Sequence, residues 1–526
     1  MPMKPRLAAH SQSLAALVAL ALFALYPAWS VAETGESPVQ TSEAKLLDEA
    51  AEIGAKVGRI RGLELKEEII KGVKNRDELR EVLIEKLAEG VTDEEIEAEA
   101  KIFKRMGLFR PEIQYKQLML DLLTEQIAGF YDQSSKELYI MKGIPQDHQR
   151  STIAHEIFHA IQDQHFDIGR MLAPFSSEEN SDFALARMAL IEGDATVLMI
   201  DFTLYESGVL PQDGVTSIVD IPMMAAMLLE LDMQNLAALE QMVPTPTAEE
   251  DGGDFEMPSL QDSVLVQAPA IIQELLVFPY VGGLRFVIMA RSGNTWDDVD
   301  AIYARAPVST EQILHPERYF AGDWPVHIEF NPAKALTNHK KMYETVLGEF
   351  QLRAWLNAHL GRSADEAPAV IDVAAAAEGW GGDRLLGWED ESGRTLITHL
   401  SSWDTPEDTL EFYEALVEMT KARYPDGEIV ASSGKHGQSI CVLLRSDEGN
   451  ERLYVEQWGD LVLYIEGAPS VLDENDRETD PTVWMVRDEV WKTFSKSPFE
   501  DILAEREAKL EEEAQAEKQA ETRPSP

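Results

Sequence analysis

The run STIAHEIFHAIQDQHFD, residues 151–167, limits what this chain can fold into more than any other stretch. Ile153, Ala154, Ile157, Phe158, Ala160 and Ile161 give it the apolar face of a buried helix. The same face would take His155, Glu156 and His159 into the core, where polar groups without partners are costly. A helix turns about 100° per residue, so residues four apart lie about 40° apart on its surface and both imidazoles can reach one ion. Glu156 lies too far round the helix to be the natural third ligand, but it can hold and deprotonate a water at the metal. One HExxH arises by chance in about a few per cent of chains of this length and composition, so its apolar flanks carry much of the argument. The arrangement reads as zinc hydrolase chemistry.

A catalytic zinc takes three protein ligands and a water. Two residues compete for the third place. His165 completes HEIFHAIQDQH, but zinc sites with a third histidine at that spacing need a glycine to turn the chain, and here the position is Gln162. With no breaker the helix continues and turns His165 about 120° away from the metal. Glu192, in ALARMALIEGDATVLM, is the stronger candidate. Phe183, Ala186, Leu190, Ala195 and Leu198 make that segment a second buried helix, and its acids need a reason to be inside. Asp194 and Asp163 read as partners that support the ligands from behind.

HExxH followed by a glutamate on a later helix resembles the gluzincin class of zinc metallopeptidases. More narrowly, AGFYD (128–132), HEIFHAIQDQHFD, IEGDA (191–195) and STEQILHPERY (309–319) resemble a bacterial family of exported metallopeptidases over roughly residues 58–390. The resemblance implies a mainly helical, zincin-like peptidase core with a small sheet. It also implies one Zn²⁺ per chain on His155, His159 and Glu192, with Glu156 as general base. It transfers no substrate.

Lys4 and Arg6 precede an apolar run at residues 14–26, and Ser30-Val31-Ala32 offers the small residues of a cleavage site. Residues 1–32 are thus expected to be a secretory signal peptide, placing the chain in the bacterial periplasm or outside the cell. No integral membrane segment is expected after its removal. Cys441 is the only cysteine, which excludes an intramolecular disulfide. A net charge of −48 repels nucleic acid and anionic membrane surfaces, and among the polypeptide substrates that the peptidase reading implies it favours cationic or neutral ones over acidic ones.

The expected organisation continues with a flexible leader (33–42) and an N-terminal helical accessory region or prosegment (43–110), in which EEIIKGV is a candidate strand. A peptidase core (111–340), a C-terminal domain (341–497) and an acidic helical or disordered tail (498–526) follow. In the core, PEIQYKQLMLDLLTEQIAGF opens a helix at Pro111 that ends near Gly129. The strand ELYIM just before the HExxH helix either pairs with substrate along Leu138 to Met141 or is an ordinary internal strand. The methionine-rich run at 221–242 reads as core, 243–259 as a solvated linker, and 268–289 as one helix bent at Pro279 and Gly282-Gly283. The helix expected in ETVLGEFQLRAWLNAHL opens the C-terminal domain, where Thr405-Pro406 starts another and SICVLLR, RLYVEQW and LVLYIEG read as strands of an antiparallel sheet. The fold class is therefore α+β.

His315 and Tyr319 are the candidate donors to an oxyanion, with Tyr280 a third. The reading is an exported zinc metallopeptidase. Its rivals are a catalytically silent envelope-binding or assembly protein on the same fold, and a zinc hydrolase acting on something other than peptides.

Overall fold

The computed structural model describes residues 43–126, 129–133, 135–141, 146–175, 179–211, 216–230, 263–361, 371–430, 436–447, 449–474 and 479–521. The expected signal peptide, leader and 243–259 linker lie outside the described residues, as does most of the methionine-rich run.

The helices are α1 (Glu43–Arg61), α2 (Arg76–Gly90), α3 (Asp93–Arg105), α4 (Tyr115–Gln126), α5 (Gln146–Phe166), α6 (Ile168–Leu172), α7 (Ser181–Glu206), α8 (Pro222–Leu229), α9 (Val264–Gln267), α10 (Ala270–Arg291), α11 (Trp296–Tyr303), α12 (Thr310–Leu314), α13 (Pro316–Ala321), α14 (Gly348–Leu360), α15 (Pro406–Arg423), α16 (Thr482–Thr493) and α17 (Phe499–Glu521). The strands are β1 (Ile70–Lys74), β2 (Gly129–Asp132), β3 (Glu137–Met141), β4 (Val326–Glu329), β5 (His339–Thr345), β6 (Trp380–Asp390), β7 (Thr395–Trp403), β8 (Glu428–Val430), β9 (Gln438–Leu444), β10 (Asn450–Trp458), β11 (Leu461–Ser470) and β12 (Ser495–Pro498). The class is α+β. Among the described residues two compact units are interleaved in sequence, one drawn from 43–92, 114–173 and 184–307 and the other from 93–113, 174–183 and 308–521. The division replaces the expected linear boundaries near 110 and 340.

The first unit is helices around a three-stranded sheet of order β1-β3-β2, with β1 parallel and β2 antiparallel to β3. The order corrects two expectations. Gly129 and Phe130, read as the end of a helix, open strand β2; a Cβ at Gly129 would sit 2.9 Å from the Tyr139 carbonyl oxygen, so glycine is what lets the strands close up. The EEIIKGV segment supplies β1, as expected, and with β2 it pairs β3 on both sides, so the backbone of Leu138 to Ile140 is not free to receive a substrate strand. Pro111 lies in a turn before α4 rather than inside its first turn.

Helices α7 and α10 cross backbone to backbone. A Cβ at Gly193 would fall 2.1 Å from the Gly283 carbonyl carbon, and one at Gly283 would fall 1.8 Å from the Ala189 carbonyl oxygen. Glycine at both positions is a packing requirement, and it sets the turn of α7 that carries Glu192 against α10. Helix α10 runs unbroken through Pro279. It is long and apolar enough to cross a membrane, but 72% of its most apolar window is buried inside the fold, as in a core helix. The described part of the methionine-rich run, α8, contradicts its reading as core: it buries no residue, and Met223 and Met227 are 74% and 58% exposed.

The second unit is built on a seven-stranded sheet of order β5-β6-β7-β11-β10-β9-β8, antiparallel throughout. Alternation along β11 covers both faces. Leu461, Leu463 and Ile465 join a core with Val483, Val486 and Val490 of α16. Between them Tyr464 meets the Trp355 ring of α14 edge-on at 5.2 Å and accepts a hydrogen bond from Arg423 of α15 at 3.1 Å. Thr405 caps α15 in a reciprocal capping box with Asp408, as the Thr-Pro start implied. Helix α14 starts later than its apolar pattern suggested, because Glu344 and Thr345 belong to β5 and Gly348 takes a φ of 72° beside Asp182.

The helix crossing generates a prediction. Gly193→Ala or Gly283→Ala is expected to lower the unfolding free energy by about 3 kcal/mol or more through overpacking, read from urea unfolding of the full chain.

Candidate metal centre

Helix α5 stays helical through Gln162 to Phe166, since nothing in QDQHF breaks it. It presents His155 and His159 on one face, and α7 brings up Glu192. His155 Nε2 and His159 Nε2 are 2.9 Å apart, and Glu192 Oε2 lies 3.2 Å from the first and 3.4 Å from the second. Among the described residues this is the one group of three or more His, Cys, Asp or Glu side chains close enough to hold a metal.

The three side chains fit a zinc ion by two independent measures. A tetrahedral ion with N and O ligands at about 2.0–2.2 Å places those atoms about 3.3–3.5 Å apart, near the spacings found. Both Glu192 oxygens are also buried without a hydrogen-bond donor in place, so the carboxylate faces two imidazole nitrogens and nothing else that would justify its burial. The electrostatics agree. Burial penalises charge on all three groups, yet the Glu192 carboxylate pushes His159 up, while the two imidazoles hold Glu192 below the usual carboxylate range. Burial and the neighbouring His159 push His155 down.

Glu156 lies beside the triad without joining it. Its Oε2 accepts the Tyr131 backbone N–H at 2.9 Å, and burial pushes its carboxyl up to about 8. Asp163 acts one step further back: its Oδ2 accepts the Tyr131 hydroxyl at 2.9 Å and pairs with Lys136, so it secures the strand that steers Glu156. Strand β2, missed in the sequence, thus positions the Glu156 side chain. Its signal was the AGFYD block itself.

The other expected residues fall as follows. His165 turns away from the triad, and its Nε2 hydrogen-bonds the Glu64 carbonyl at 2.7 Å. Asp194 is fully buried and pairs with Arg61 at 2.9 Å. The Tyr280 ring lies over His155, with centroids 6.3 Å apart and planes 30° from parallel. His315 and Tyr319 fold with the second unit, where His315 Nε2 meets the Glu349 carboxylate at 2.8 Å and the Tyr319 ring packs against Phe320. Their block is anchored there by Thr310, whose N–H donates to Asp182 at 2.9 Å. Sequence reasoning treated Gln162 only as a missing glycine. Its amide oxygen accepts from His159 Nδ1 at 2.8 Å.

Removing a ligand and removing the rival histidine should differ. Zinc-replete wild type and His165→Ala are expected to carry about one zinc per chain by elemental mass spectrometry, and Glu192→Ala to carry much less.

A family model described as a domain of unknown function (DUF8575) matches residues 336–478, a stretch that holds the seven-stranded sheet and lies outside the triad. No curated protein and no solved structure matches the chain.

Proposed function

We propose that this chain is an exported zinc-dependent peptidase that hydrolyses peptide bonds at the His155–His159–Glu192 centre. The single observation that carries the reading is the buried triad with a separate carboxylate, Glu156, held beside it by a backbone N–H. A site for structural zinc has no use for that fourth group, whereas hydrolysis needs a base next to the metal.

Bound in the triad, zinc would supply Lewis acidity, acidifying a water molecule and polarising the scissile carbonyl. The work of the chain's own residues is proton transfer and orientation. Glu156, steered by Tyr131 N–H, takes the proton of the attacking water and delivers it to the departing amine nitrogen. Tyr280, on α10 against His155, is the phenol that the site's own unit offers to a developing oxyanion. His315 and Tyr319 are further proposals for that role. Export rests on the sequence pattern of residues 1–32.

The full burial of the four residues, at 0–2% exposure, favours a second reading. A polypeptide reaches them only if the chain opens, and a catalytically silent binding protein needs no opening. One experiment separates the two. Zinc-loaded wild type is expected to cleave members of a quenched fluorescent peptide library, and Glu156→Gln to keep its zinc while losing at least about 10²-fold in rate. No cleavage by zinc-loaded wild type selects the silent reading, and full activity in Glu156→Gln removes the assigned base.

A further inference from the structure

We infer that Arg61, the last residue of helix α1, determines which nitrogen of His159 faces the metal position, acting through Asp194, Tyr303 and Gln162. Helix α1 is then a working part of the centre, and not a segment to be shed on activation. The inference rests on the metal-centre reading above and deepens it.

The argument is one of hydrogen-bond direction. Arg61 Nε and Nη2 donate to the two oxygens of Asp194 at 2.9 and 3.1 Å, with both side chains fully buried. Nη2 also reaches Asp300 at 2.6 Å, and the guanidinium lies 4.3 Å from the centre of the Trp296 ring. Arginine has donors only, so both Asp194 oxygens accept from Arg61. The Tyr303 hydroxyl, 2.9 Å from Asp194 Oδ2, must then donate its one hydrogen there. Its oxygen is left to accept from Gln162 Nε2 at 2.7 Å, while the other amide hydrogen goes to the Ile191 carbonyl at 3.0 Å. The Gln162 amide cannot flip without setting its oxygen against both of those acceptors. Its Oε1 therefore faces His159 Nδ1 at 2.8 Å, which must carry a hydrogen. Every link has one direction, and the last fixes Nε2 as the nitrogen turned toward His155 and Glu192.

Four of these groups are buried polar side chains that a hydrophobic core would otherwise exclude, and they connect α1, α5, α7 and α11. A purely packing role would make the network matter for stability alone. A positioning role makes it matter for metal affinity in chains that are fully folded.

The test measures zinc affinity of the folded full chain by competition with a chelating chromophore, alongside thermal unfolding of each variant after zinc removal. Asp194→Asn, which can donate where the carboxylate only accepts, Tyr303→Phe and Gln162→Leu are each expected to bind zinc about 10–100-fold more weakly, although none removes a ligand. Arg61→Met should lose a similar factor, and Arg61→Lys, which keeps a positive charge against Asp194, should recover most of it. Ring-¹⁵N-histidine spectra should show a slowly exchanging proton on His159 Nδ1 in wild type and its loss in Gln162→Leu. If Arg61→Met does not fold, Asp194→Asn and Tyr303→Phe decide the matter. Folded variants that hold zinc within twofold of wild type overturn the inference and leave the metal centre standing. Wild type that takes up no zinc under zinc-replete conditions overturns the metal centre and the inference with it.

Discussion

Two imidazoles and two carboxylates lie between apolar helices in the first unit, and that burial is the constraint from which most of its architecture follows. Water would solvate these groups far better than Ile157, Phe158 and Leu190 can. Glu156 and His159, and Asp194 behind them, are each met by another polar group: Tyr131 N–H for Glu156, Gln162 for His159, Arg61 for Asp194. Those partners come from β2, from α5 itself and from α1. A segment whose sequence looks like an appendage to the core is thereby drawn into it.

Much of the site was legible because it is local. HExxH places its two histidines by helical periodicity alone, and the acids of IEGDA stood out against an apolar run. Gln162 was legible only as the absence of a turn, because its function depends on Tyr303, far along the chain. The sheet was read least well. Calling ELYIM an edge strand requires knowing what lies on either side, and both neighbours, Ile70–Lys74 and Gly129–Asp132, are set by tertiary pairing that four- or five-residue patterns do not announce. Strand β2 was hidden because Gly129 ends helices in sequence statistics as readily as it admits a close backbone in a sheet.

The methionine-rich run shows the opposite failure. Apolar composition at helical spacing suggested core, yet α8 buries nothing. Composition reports what a segment can do in an apolar setting and not whether the fold provides one. In the C-terminal half the same kind of reasoning worked, because Thr405-Pro406 and the alternating strands are signals that each element carries within itself.

Within the second unit, residues 93–113 are tied to a sheet encoded far downstream. Lys101 pairs with Glu389, Arg105 with Glu451, and the Met106 carbonyl accepts from both Trp355 and His359. Ile102 packs over Gly387 so closely that a Cβ there would come within 2.4 Å of it. A ribosome or a translocation channel delivers the chain from its N-terminus, so the apolar side of α3 emerges long before the strands that cover it. Ile102 must wait uncovered in the meantime. Neither unit corresponds to one continuous piece of chain, so completion of both depends on the arrival of late segments, and the interval between is when an assisting chaperone has something to hold.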